Sequence, residues 1–168
     1  MIVNSEYFSR IEAFKNLTDD QRPRVIPLCE EVVFQEGDRL FAEGDPAKHV
    51  WFVVDGQVDL RFEWPLRRPT TAEHTISSEK VSRQDAEAKT LGWSCFVPPY
   101  KMMLSAYCVN RTCRIIRICK EELLQLFEDD PVIGYRFLTY MIAVLGYRFI
   151  QLEESATKMV GHGMITGW

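Results

Sequence analysis

The residues best suited to chemistry lie in the run Leu-Gly-Trp-Ser-Cys-Phe-Val-Pro-Pro-Tyr-Lys-Met-Met-Leu-Ser-Ala-Tyr-Cys, from Leu91 to Cys108. Gly92 frees the backbone, and Trp93–Val97 is long enough for one helical turn. Pro98-Pro99 ends that turn, because a residue before proline is pushed out of helical geometry. A short helix opening at a glycine offers unpaired N–H groups and a positive dipole end, which suit an anion. Lys101 follows as a counter-charge. Trp93, Phe96, Tyr100, Met102 and Met103 crowd the same stretch. Two readings follow: a ligand cradle, or a loop that plugs the end of a barrel with bulky side chains.

The elements around this stretch must position it. Tyr7, Phe8, Ile11 and Phe14 have helical spacing, so Tyr7–Phe14 is expected to be helical. Thr18 with Gln21 three residues later forms a capping-box pattern, and Pro23 suits the first turn of a helix reaching about Cys29. From Val32 the period changes to that of strands. Val32–Phe34 and Leu40–Ala42 are each followed by Glu-Gly-Asp, where glycine suits a positive φ and aspartate can bond its own loop. The repeat lacks the ladder of oxygen ligands that a calcium loop needs. His49–Val54 and Val58–Trp64 flank Asp55-Gly56 as a hairpin. Thr70–Ser78 is a further candidate strand, and Glu79–Lys89 is a charged loop. Arg67-Arg68 marks a basic turn.

Short strands with Gly/Asp turns suggest a barrel or sandwich. The pattern Phe34-x-Glu-Gly-Asp-x-Leu-Phe-x-Glu-Gly-Asp-x-Ala-x-x-Val-x-Phe-Val-x-x-Gly-Gln-Val also resembles the opening hairpins of the cyclic nucleotide-binding domain. The resemblance spans about Leu17 to Leu152. It implies a mainly β fold with flanking α: a β-jelly-roll barrel (double-stranded β-helix) with N-terminal helices and a long C-terminal helix. In that family Leu91–Cys108 takes the place of the phosphate-binding cassette. Its members usually show Gly-Glu early in the cassette, and an arginine followed by a small residue near its end.

This sequence keeps Gly92 but has Trp93 in place of the glutamate, and Lys101 or Met102 in place of the arginine. Ser105 and Ala106 preserve the small residues. Losing the carboxylate–hydroxyl bond and the guanidinium fork costs roughly 1.5–3 kcal/mol each. Together that is on the order of a hundred- to ten-thousand-fold in affinity. The expected ligand contacts are Leu91, Gly92, Trp93, Ser94, Lys101, Met102, Ser105 and Ala106. Three occupants stay open: a cyclic nucleotide (cAMP or cGMP) held differently, another small anion, or the protein's own side chains. The last would leave a ligand-free, degenerate barrel serving as a protein-interaction or dimerisation module.

The other reactive residues point away from catalysis and cofactors. His49, His74 and His162 are widely separated, with no H-x-H pair, so neither a metal site nor an enzyme is expected. Cys108, Cys113 and Cys119 do not bring three thiolates together, since Cys108 points opposite to the other two along an extended chain. Val109–Ile118 is expected to form a strand pair around Asn110-Arg111. Five cysteines without framework spacing suggest reduced thiols and a cytoplasmic setting. A net charge of −4 argues against non-specific nucleic-acid binding. No signal peptide or membrane span is recognisable.

Lys120–Glu128 should form a helix, and Asp130-Pro131 opens a longer one to about Glu154. That helix is apolar nearly all round, so it must be covered on two sides. The resemblance places one side against the barrel and the other against a second subunit, the alternative being a fold-back within a single chain. The expected homodimer contacts are Phe137, Tyr140, Met141, Val144, Leu145 and Arg148. The domain thus spans residues 1–154, and 155–168 is a glycine-rich tail unsuited to a DNA recognition helix. The function expected is that of a sensor that passes a ligand signal to its exit helix.

Overall fold

The computed structural model describes residues 3, 5–62, 75–76 and 86–160, with side chains described as far as residue 154. Two short helices, α1 (Ser5–Ser9) and α2 (Arg22–Val25), lead the chain. The expected Tyr7–Phe14 helix is broken at Arg10 and resumes as a 3₁₀ turn over Glu12–Phe14. Its spacing still serves, because Phe8, Ile11 and Phe14 are all buried. The Thr18 N–H donates to Gln21 Oε1 at 3.3 Å, one half of the capping box. Pro27 lies in a 3₁₀ turn over Ile26–Leu28, and Cys29 already belongs to the first strand.

Among the described residues eight strands follow: β1 (Cys29–Gln35), β2 (Arg39–Phe41), β3 (His49–Asp55), β4 (Val58–Arg61), β5 (Thr75–Ile76), β6 (Thr90–Leu91), β7 (Ser105–Cys108) and β8 (Thr112–Cys119). They form two antiparallel four-stranded sheets, ordered β1-β8-β3-β6 and β2-β7-β4-β5. The two sheets with flanking helices and a long C-terminal helix form a jelly-roll-like fold, and among the described residues no ladder joins one sheet to the other. β4 stops at Arg61, short of the expected Trp64, which lies outside the described residues, as does Arg67-Arg68. Of the Thr70–Ser78 strand only Thr75–Ile76 is described, paired with β4.

The two Glu-Gly-Asp turns fold alike. Gly37 has φ +88° and Gly44 has φ +85°, where a side chain would strain the backbone. Asp38 Oδ2 accepts the Gln35 N–H at 2.7 Å, and Asp45 Oδ2 accepts the Ala42 N–H at 2.9 Å. The carboxylates thus close their own loops.

The first sheet is covered on both faces. Trp51 meets Phe41 of the second sheet, while Phe52 on the other face meets Phe14 and Phe137. Alternation along β3 therefore sends consecutive side chains into different layers.

Two expectations at the β7–β8 junction need correction. The strands do not pair with each other: β7 lies between β2 and β4, and β8 between β1 and β3. Val109–Arg111 therefore carries the chain from one sheet to the other. Cys108 and Cys113 are joined as a disulfide across that junction, with Cα atoms 5.9 Å apart, rather than being free thiols. Opposite pointing along one strand does not separate residues that belong to two facing sheets. Cys29 and Cys95 are buried free thiols, each pushed up to about 12 by burial, which suppresses the reactive thiolate.

Helix α3 (Lys120–Asp129) is followed after one residue by α4 (Pro131–Val160). Asp130 is the joint. Its Oδ1 accepts the N–H groups of Val132 and Ile133 at 3.2 Å, and its Oδ2 accepts from Arg24 at 2.8 Å. Asp130→Ala is expected to lower unfolding free energy by about 1–2 kcal/mol, chiefly through the lost cap. Urea denaturation would check this, with Asp130→Asn retaining most of the loss-free stability as the control for the cap oxygen. Helix α4 continues past residue 154, so residues 155–160 extend it rather than beginning the tail; 161–168 lie outside the described residues.

Candidate functional site

The cassette runs from the edge of one sheet to an inner strand of the other. Leu91 lies opposite Trp51 on β3, Ser105 and Ala106 lie on β7, and the loop between them carries the chain from one sheet to the other. Gly92 has φ +90°, and a Cβ there would sit 2.6 Å from the His49 carbonyl oxygen. Only glycine lets the turn come this close to β3. Gly92→Ala is expected to cost about 1–3 kcal/mol through backbone strain alone, with the clash adding to it. A urea midpoint equal to that of the wild type would remove this account of the turn.

After Gly92 comes the expected helical turn, shortened to a 3₁₀ turn over Trp93–Cys95. The Cys95 N–H donates to the Gly92 carbonyl at 2.9 Å, and the Phe96 N–H to the Trp93 carbonyl at 3.0 Å. Cys95 Sγ donates to the His49 carbonyl at 3.2 Å, fastening the turn to β3. Phe96 packs edge-on against Phe137 of α4, centroids 5.8 Å apart. Trp93 is partly buried against the same core.

The remaining expected contacts divide by environment. Leu91, Ser94, Met102, Ser105 and Ala106 are buried, whereas Lys101 is exposed and bridges Pro46 through its backbone. Met102 N–H donates to the Asp45 carbonyl, and the Met102 carbonyl accepts from Gly44 N–H, both at 2.8 Å. Ser105 Oγ accepts the Glu43 N–H at 2.8 Å, so this hydroxyl already serves the protein's own backbone. Of the crowded aromatic and methionine side chains, Tyr100 and Met103 are turned out to solvent. Lys120 Nζ stands 4.2 Å over the Tyr100 ring. A cavity of about 140 Å³ lies beside the cassette's entry strand, lined by Arg10, Glu12, Phe52, Lys89 and Thr90 among others. None of the eight expected contacts lines it.

Among the described residues no group of three His, Cys, Asp or Glu could hold a metal ion. No described helix is long and apolar enough to cross a membrane.

No family model matches the sequence, and no curated protein matches it either. Solved structures do match. A protein from Geobacter metallireducens GS-15 named for cyclic nucleotide binding is 20% identical and has a TM-score of 0.66, covering 88% of this chain and 98% of its own. A cyclic nucleotide-binding domain from Methylobacillus flagellatus KT is 16% identical, with TM-score 0.67 over 95% of this chain and 83% of that one. The sensor domain of the transcriptional regulator DNR from Pseudomonas aeruginosa is 16% identical, with TM-score 0.61 over 86% and 89%. The fold is that of cyclic nucleotide-binding domains.

Within this cyclic nucleotide-binding-domain fold, the expected dimer contacts need correction. Phe137 and Val144 are fully buried and Met141 is 5% exposed, all within a single chain. Phe137 touches Phe14, Phe52, Phe96 and Phe127, so it belongs to the sandwich-facing side of α4. Tyr140 and Arg148 are half-buried and hydrogen-bonded to the segment entering β6. Of the six, Leu145 alone stands on the open face. That face carries Tyr135, Leu138, Ile142, Leu145, Phe149 and Leu152, all exposed. Their spacing of three, four, three, four and three residues makes a continuous seam. The sequence shows a helix apolar nearly all round, and five of the six expected contacts fall on the side that packs within the chain. Sequence reading also missed the part played by Tyr140 and Arg148, for which an arginine within an apolar helix was the available signal.

Proposed function

We propose that this chain is a non-enzymatic regulatory sensor domain that takes a small anionic ligand at the cassette, a cyclic nucleotide being the first candidate. It passes the signal to α4 in a homodimer. The observation that carries this reading is the contact of Phe96 with Phe137, which joins the cassette turn directly to the exit helix. A ligand that favours one position of the turn thereby favours one position of the helix, which is what a population shift requires. The likeness to the DNR sensor domain supports the same reading. The open seam of α4 supports a parallel helix pair with a second copy, and the negative net charge argues against direct nucleic-acid contact.

A second reading is favoured by the burial of Met102 and the engagement of Ser105 Oγ by the Glu43 N–H. On that reading the cassette is a structural plug, and the domain works as a ligand-free dimerisation module.

Isothermal titration of the full chain with cyclic AMP and cyclic GMP separates the two. The sensor reading expects saturable heat, with affinity lowered several-fold by Lys101→Ala through loss of the counter-charge. Silence toward both nucleotides favours the plug.

A further inference from the structure

Two side chains of α4, eight residues apart, hold the segment that leads into the cassette. Tyr140 Oη lies 2.8 Å from Thr90 Oγ1 and donates to the Ala86 carbonyl at 3.1 Å. Arg148 Nη2 donates to the Ala88 carbonyl at 2.8 Å and reaches the Thr90 carbonyl at 3.5 Å. Eight residues span about 12 Å of helix, so two separate points of α4 bond the same segment, Tyr140 at Ala86 and Thr90 and Arg148 at Ala88 and Thr90. Leu91 and Gly92 follow immediately.

Both groups are partly withdrawn from water. Burial raises the Tyr140 hydroxyl to about 12, with the Thr90 bond acting the other way. Burial lowers Arg148 to about 10. The hydrogen-bond partners described for Arg148 are all neutral: the two carbonyls and Gln151 Oε1 at 2.9 Å. A partly buried guanidinium that, among the described residues, is bonded to no carboxylate depends on those carbonyls more than a surface arginine would. The same segment is held on its other side by β3, where the Val53 N–H donates to the Lys89 carbonyl at 2.8 Å and Phe52 pairs with Thr90, but β6 itself is only two residues long, so the bonds from α4 are a large share of what fixes it.

We propose that Tyr140 and Arg148 are positioning residues that form a latch, through which α4 fixes Ala86–Thr90 and so the Gly92 turn. The latch supplements the Phe96–Phe137 contact with directional bonds, and it acts on the entry to the cassette rather than on its turn. Coupling of this kind is reciprocal: a shift of α4 loosens the cassette, and a shift of the cassette releases α4. What the latch serves rests on the sensor reading, but the latch itself is testable without ligand.

The test is hydrogen–deuterium exchange on the full chain, comparing wild type with Tyr140→Phe, Arg148→Met and Arg148→Lys. Tyr140→Phe removes one oxygen and keeps the ring. The expected result is about ten-fold faster exchange across 86–95 in Tyr140→Phe and Arg148→Met, with 112–119 of β8 unchanged, as in local opening. Arg148→Lys should recover part of the protection. Wild-type exchange across 86–95 in Tyr140→Phe and Arg148→Met overturns the latch, as does an equal rise in β8, which would report general destabilisation. Failure of both nucleotides to bind the wild type counts against the sensor reading alone; unchanged exchange overturns the latch whether or not a nucleotide binds.

Discussion

Phe137→Ala is expected to destabilise the fold by about 3–5 kcal/mol, the range for truncating a buried phenylalanine. Phe137 has no exposed surface and contacts rings from four parts of the chain: Phe14 ahead of the sheets, Phe52 on β3, Phe96 in the cassette and Phe127 on α3. Its removal leaves a cavity that four separately anchored rings cannot jointly fill. A domain of this size has a total stability of about 5–15 kcal/mol, so the variant should unfold at a much lower urea concentration or fail to fold at ambient temperature. Phe137→Leu retains most of the volume and should lose clearly less. Equal, small losses for both variants would show that α4 is not anchored through this ring.

Ile142→Glu combined with Phe149→Glu should turn the proposed homodimer into a monomer in sedimentation velocity, with the urea midpoint of the monomeric fold nearly unchanged. Both side chains are largely exposed, at 70% and 57%, so charge there meets solvent in the single chain and carboxylate repulsion only in a pair. Met141→Glu with Val144→Glu should behave differently. Those positions are 5% and 0% exposed, and a carboxylate buried without a partner unfolds the domain rather than dissociating it. An unchanged sedimentation coefficient in the first pair would remove the seam as the interface.

The contrast between those two pairs marks where sequence reading gives out. Along α4 apolar residues run nearly all round the helix, and helical periodicity alone does not separate an inner face from an outer one. Which side meets the sandwich depends on Phe14, Phe52 and Phe96, residues distant in sequence whose joint position periodicity does not carry. The disulfide is a similar case. Strand alternation orients Cys108 and Cys113 along the chain, but sheet membership decides that they meet. Features that rest on adjacent residues were legible. The Glu-Gly-Asp turns, the Asp130-Pro131 helix start and the Gly92 turn all depend on one residue's φ or one side chain's reach. The cassette is intermediate: its boundaries were readable, but the turning out of Met103 and the inward burial of Met102 were not.

The single-residue joint at Asp130 also has a mechanical meaning. Thirty residues of α4 extend from it, roughly 45 Å at 1.5 Å per residue. A swing of about 5° at that pivot displaces the far end by about 4 Å over such a length. The barest rearrangement near the root of this lever is therefore magnified at its tip to a displacement wide enough to make or break contact with whatever the tip touches.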